Sequence, residues 1–136
     1  MGGRETKKMA INIGVEFEEE MCRLLSDNGF WAHRLSENNK GAQPFDIVAV
    51  KRGHAIAIEC KVVNSNQFIV SRIEDNQRSA LELFHKHGGS AWFAFKRRDD
   101  SIFLGVAMEI LEATNDKMHI CEPLIPFERW VDMFEN

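Results

Sequence analysis

The sequence predicts a single α/β (α+β) domain, a mixed β-sheet flanked by helices, on three observations. Two runs dense in Ile and Val, Asp46–Val50 and His54–Val63, are separated only by Lys51-Arg52-Gly53, which reads as a hairpin. Two stretches, Ile13 to about Asn28 and Ile73 to His87, repeat their apolar residues at helical spacing. Strands then resume at Ser90–Lys96 and Ser101–Ala107, so strands and helices share one chain and one core.

In chain order, residues 1–12 are expected to be a flexible N-terminal arm, and residues 13–136 the folded domain. In the first helix Phe17, Met21, Leu24 and Leu25 form the apolar stripe, and Asn28-Gly29 is a stop signal. Phe30–Leu35 reads as a strand. Ser36 to Pro44 is a polar loop expected to be mobile. The second helix places Ile73, Gln77, Leu81 and Phe84 on one face and ends at Gly88-Gly89. The last two strands are joined by the charged turn Arg97-Arg98-Asp99-Asp100. From Pro126 onward Phe127, Trp130, Val131 and Phe134 share a helical face; they are either core or a dimer seam, and the spacing does not separate the two.

Composition narrows the class. The chain has 136 residues, 44% hydrophobic and 28% charged, the balance of one soluble globular domain. Cys22, Cys60 and Cys121 are scattered without a C-x-x-C pair, so neither a disulfide framework nor a zinc site is indicated, and a reducing, cytoplasmic setting is expected. The N-terminal residues lack the apolar run of a signal peptide, and no stretch suits a membrane span. A net charge of −4 argues mildly against nucleic acid. Metal-holding carboxylates enter that sum, however, and a basic patch can be local.

The hairpin register is the most informative feature. With Arg52-Gly53 as a two-residue loop, Lys51 faces His54, Val50 faces Ala55, and Asp46 falls opposite Glu59. Opposed like charges destabilise a sheet, and a divalent cation offsets them. Lys61 leaves the same face of its strand as Glu59, while Ile56, Ile58, Cys60 and Val62 form an apolar face assigned to the core. Two carboxylates and an ammonium suit phosphodiester hydrolysis. Oxygen ligands favour Mg²⁺, with Mn²⁺ as a substitute, and Lys61 is placed to orient water or neutralise charge. A surface ion cluster gives the same pattern, so further residues matter. Gln77 should face the sheet. On the first helix Glu18 and Glu20 flank the apolar stripe on opposite sides; Cys22 widens the stripe toward Glu18 and favours it slightly.

These residues resemble a family. Gly14-Val-Glu-Phe-Glu18, then Pro44-Phe-Asp46, then Glu59-Cys-Lys61 resemble the PD-(D/E)xK nuclease superfamily, and within it the Holliday-junction resolvases of the archaeal and RecU types. The run Phe68…Ile73…Gln77…Leu81, followed by Gly88-Gly89 and an aromatic strand, looks RecU-like. The resemblance implies a restriction-endonuclease-like fold and a homodimer acting on branched DNA. It implies Glu18, Asp46 and Glu59 as acidic site residues, Lys61 as the catalytic lysine and Gln77 as support. The metal would be held by Asp46, Glu59 and the Cys60 backbone carbonyl, with Glu18 reaching it directly or through water. The chain departs from the pattern where Phe45 separates Pro44 from Asp46, and no junction-penetrating stalk is evident.

Basic residues for phosphate contact are Lys40 on the loop and Arg4, Lys7 and Lys8 on the arm. The expectation is a metal-dependent, structure-selective DNA endonuclease in recombination or phage DNA processing. The alternatives are a restriction or repair endonuclease of the same superfamily, a DNA-binding module with a vestigial site, and an unrelated α/β scaffold.

Overall fold

The computed structural model describes residues 3–35, 44–64, 67–69, 73–112, 117–119 and 124–136. Lys40 and most of the polar loop lie outside these residues, as do the side chains of Arg4, Lys7 and Lys8. In order the chain forms α1 (Gly3–Asp27), β1 (Trp31–Arg34), β2 (Ile47–Lys51), β3 (His54–Val62), β4 (Gln67–Ile69), α2 (Asp75–Lys86), β5 (Ser90–Lys96), β6 (Ile102–Val106), α3 (Ala107–Leu111), β7 (Lys117–His119), β8 (Ile125–Pro126) and α4 (Phe127–Asp132). A mixed six-stranded sheet runs β1-β2-β3-β5-β6-β8, and β4 pairs with β7 apart from it. Among the described residues only β3 and β5 pair in parallel, through the crossover that carries α2.

Both faces of the sheet are covered. Ile47, Ile56, Ile58, Trp92 and Ala94 pack with Phe17, Met21 and Leu25 of α1 and with Phe127 and Trp130 of α4. On the other face Ala57, Ala91, Phe93 and Phe95 pack with Leu81 of α2 and Ile110 of α3. This is why β5 reads Ala-Trp-Phe-Ala-Phe without alternation: its side chains are buried in both directions.

The expected elements are present with shifted edges. The first helix begins at Gly3 rather than Ile13, since Glu5, Lys7, Lys8, Met9 and Ala10 are good helix formers that lack an apolar stripe. Its end is as expected: Phe30 N–H donates to Leu25 O at 3.0 Å and Gly29 N–H to Ser26 O at 3.2 Å, with Gly29 at φ 86°. The face of Ile56 and Ile58 is core, but Val62, the last residue of β3, is 39% exposed. The carboxylate-bearing face is not a solvent face either, since α2 and α3 lie over it.

The aromatic tail is core. Trp130 is fully buried, stacked on Phe30 at 5.6 Å between ring centres, and Phe127 and Phe134 are buried beside it. A dimer seam built on these rings is thereby corrected: they are spent inside their own chain. Lys51 ties the tail further, its ammonium bonding Asn28 O at 2.9 Å and Glu135 Oε1 at 3.0 Å. Among the described residues no helix is long and apolar enough to cross a membrane.

Candidate active site

The site is set by the β2–β3 turn. Arg52 and Gly53 have φ of 49° and 83°, the two positive values that a two-residue hairpin loop of matching twist demands. The ladder then runs Lys51↔His54, Val50↔Ala55, Ala49↔Ile56, Val48↔Ala57 and Ile47↔Ile58. The ladder ends there, and Asp46, the next residue, lies beside Glu59. Asp46 sits just before β2, its N–H donating to Ile58 O at 3.1 Å. Its Oδ2 accepts the Cys60 N–H at 2.8 Å, a charge-assisted bond that fixes the carboxylate against β3. The preceding Phe45 is buried edge-on to Phe84 of α2 at 5.4 Å, so the residue interrupting the Pro-Asp pair is a core anchor.

Asp46 is 5% exposed and Glu59 2%. Burial pushes the Glu59 carboxyl up, to about 8; the charge of Asp46 adds to this and that of Lys61 opposes it. Glu59 Oε2 lies 3.3 Å from Lys61 Nζ, while its Oε1 is buried without a hydrogen-bond partner. Lys61 Nζ also reaches Gln77 Oε1 at 3.5 Å, so α2 contributes to the site through the residue that its apolar stripe pointed at the sheet. Asp46, Glu59, Lys61 and Gln77 are thus gathered around one point.

The first helix arrives from the other side of the sheet. Glu18 Oε1 accepts a hydrogen bond from Arg34 Nε of β1 at 2.9 Å. Glu20 is held elsewhere, by Lys96 at 2.6 Å. Glu18 therefore lies beside β1 and Glu20 at the end of β5. Burial, then the charges of Asp46, Glu59 and Glu18, pushes the Cys60 thiol well up, so all three carboxylates act on the strand residue between Glu59 and Lys61.

Arg34 was not anticipated. Its guanidinium is held protonated chiefly by the Glu18 bond and also feels Asp46. A signal existed: Arg34 shares its strand face with Ala32, which packs on the α1 side, and an arginine on that face needs a carboxylate.

Among the described residues no three His, Cys, Asp or Glu side chains converge as a ready ligand set. The pair Asp46 and Glu59 nevertheless suits a hard divalent cation. Two buried carboxylates repel each other, and one oxygen lacks a partner; a cation that takes further ligands from water and phosphate meets both needs.

Comparison with known proteins adds the lineage. A search of curated proteins finds no match. Among solved structures the chain superposes on the Holliday junction resolvase Hjc of the archaeal hyperthermophile Archaeoglobus fulgidus with a TM-score of 0.69 at 22% identity, covering 87% of this chain and 99% of that one. At that identity the likeness shows the fold: a mixed sheet flanked by helices. The family model described as archaeal Holliday junction resolvase (Hjc) matches residues 9–135. The chain therefore belongs to the archaeal Holliday junction resolvase family, within the PD-(D/E)xK nucleases.

Proposed function

We propose that this chain resolves four-way DNA junctions by Mg²⁺-dependent hydrolysis, with Asp46, Glu59, Lys61 and Gln77 at the reacting phosphate and Glu18 in support. The family is one of structure-selective endonucleases that use divalent metal ions. The observation that carries the site assignment is Glu59, a carboxylate 2% exposed with one unpartnered oxygen, facing Asp46 and 3.3 Å from Lys61. Asp46, Glu59 and the Cys60 backbone carbonyl would hold the ion, which when bound lowers the pKa of water and draws off phosphate charge. Asp46 keeps its orientation through the Cys60 amide. Lys61, steadied between Glu59 and Gln77, presents an ammonium where charge builds on the phosphate. Glu18 would reach the ion directly or through water, with Arg34 fixing its carboxylate. Lys40, Arg4, Lys7 and Lys8 would supply phosphate contacts.

Resolution takes two symmetric incisions, and one chain supplies one constellation, so the working unit is a homodimer. With the aromatic tail rings buried, one exposed apolar surface is on α2. Leu83 is 55% exposed beside an apolar groove lined by Pro44, Phe45, Phe84 and His87, and we place the second copy of the chain on that surface.

The test is cleavage of four-way junction, flap and linear duplex, with and without Mg²⁺, by wild type and Glu59→Gln. Wild type is expected to cut the junction best and only with metal. Glu59→Gln should bind junction but lose cleavage by at least about a hundredfold. Undiminished cleavage by that variant, in a preparation free of other nucleases, would overturn the assignment.

A further inference from the structure

We propose that Trp31 and His33 form a stacking platform for an unstacked base of the branched DNA, on the same sheet face as the catalytic carboxylates. The proposal rests on the nuclease reading above and adds a residue-level basis for choosing branched over linear DNA.

Trp31 is 61% exposed, whereas Trp92 and Trp130 are 5% and 0% exposed. An isolated surface aromatic needs no explanation. Trp31 is not isolated: its ring lies nearly parallel to that of His33, 11° between planes and 6.0 Å between centres. Both residues are exposed on β1, an edge strand of the six-stranded sheet. The pair contributes little to the core, yet presents exposed aromatic surface to solvent.

Register says which face this is. His33 pairs with Val48 and Trp31 with Val50, and Val48 packs on the α2 side. Ala32 packs on the α1 side, so Trp31 and His33 project with Val48, away from α1. Asp46 and Glu59 share that parity. The strand also leads to the site: Leu35 N–H donates to Asp46 O at 2.8 Å. From Leu35 back to Trp31 is four residues, about 14 Å at about 3.4 Å per residue. Trp31 therefore stands a few nucleotides at most from a phosphate held at Asp46.

A base within a duplex has both faces occupied by its neighbours. A base at a strand-exchange point can leave its stack, and an aromatic platform then recovers the lost contact without reading sequence. The occupant we assign is therefore a nucleobase. A second copy of the chain meeting at the β1 edge is the competing occupant, and the experiment separates them.

Binding is measured with metal withheld by chelator, so that the DNA stays whole. End-labelled four-way junction and linear duplex of equal length are titrated by anisotropy with wild type, Trp31→Ala, Trp31→Phe and His33→Ala. Trp31→Ala should lower the ratio of junction to duplex affinity by about tenfold, the scale of one base–aromatic stack, and Trp31→Phe should largely restore it. Trp31 is the exposed emitter in the wild type, so junction DNA should quench that emission and shield it from acrylamide, and Trp31→Phe should lack both effects. Circular dichroism checks that the variants fold. An unchanged ratio, or junction binding without quenching, overturns the platform while leaving the nuclease assignment standing. A change of oligomeric state in Trp31→Ala by sedimentation, with the affinity ratio kept, assigns the surface to a second copy and also overturns it. Failure of the wild type to bind any junction removes the functional reading and the platform together.

Discussion

Glu59 shows how much one side chain's surroundings decide. Its carboxyl loses water, faces Asp46, and is pushed up from 4.5 to about 8. Between those values the folded chain holds a proton that the unfolded chain has released, so the folded state binds more protons and stability falls as pH rises. The full cost is present above the folded value. With metal withheld, the melting temperature of the wild type should therefore decline across that window. Glu59→Gln should flatten the decline and melt above wild type at pH 8, its amide donating to Asp46 where two carboxylates had faced each other. Added Mg²⁺ should raise the wild-type melting temperature at pH 8 and leave the variant little changed. Calorimetry at several pH values checks this, and a variant that melts lower with the same slope would contradict it. Asp46, Glu59 and Lys61 were legible in the sequence because a two-residue hairpin fixes them locally. Arg34 was missed because its partner Glu18 lies on a different element, 16 residues away, and strand-face parity had not been combined with charge.

Two glycines carry opposite predictions at the level of elements. Gly53 holds φ 83° in the β2–β3 loop, a conformation that costs a β-branched residue about 1–2 kcal/mol. Gly14 lies inside α1, and a Cβ added there would meet nothing within 4 Å. Gly53→Val is expected to lower unfolding free energy by about 1–2 kcal/mol, and Gly14→Ala to raise it by about 1 kcal/mol. Urea denaturation measures both; equal signs would show that the turn or the helix differs from that described. Length governed which elements the sequence disclosed. The strands β3 and β5 are apolar runs long enough to be recognised, and the helix α2 is long enough to repeat its period. β4, β7 and β8 are two or three residues long and α3 is five, too short to show any period. The start of α1 was hidden for another reason: Lys7, Lys8 and Glu5 favour helix but leave no apolar stripe to read.

The sheet divides the molecule into two cores, and the spacing of Phe127, Trp130 and Phe134 was compatible with either burial or self-association until it was known which surface remained open. Trp130→Ala, which empties a fully buried site against Phe30 and Trp92, should cost about 3–5 kcal/mol. Leu83→Glu, on the exposed side of α2, should instead favour monomers in sedimentation and leave the far-ultraviolet dichroism as it is. A dimer that persists in Leu83→Glu would move the interface off that groove. The placement of α4 also bears on biosynthesis. The layer between α1 and the sheet closes only when Trp130 and Phe134 slide beneath Phe30 and Trp92. A chain emerging N-terminus first will have made α1 and nearly the whole sheet while that layer still lacks its last wall. Nascent chains halted before residue 127 should therefore expose Phe30 and Trp92 to chaperones, and the domain should acquire its native resistance to protease in one late step.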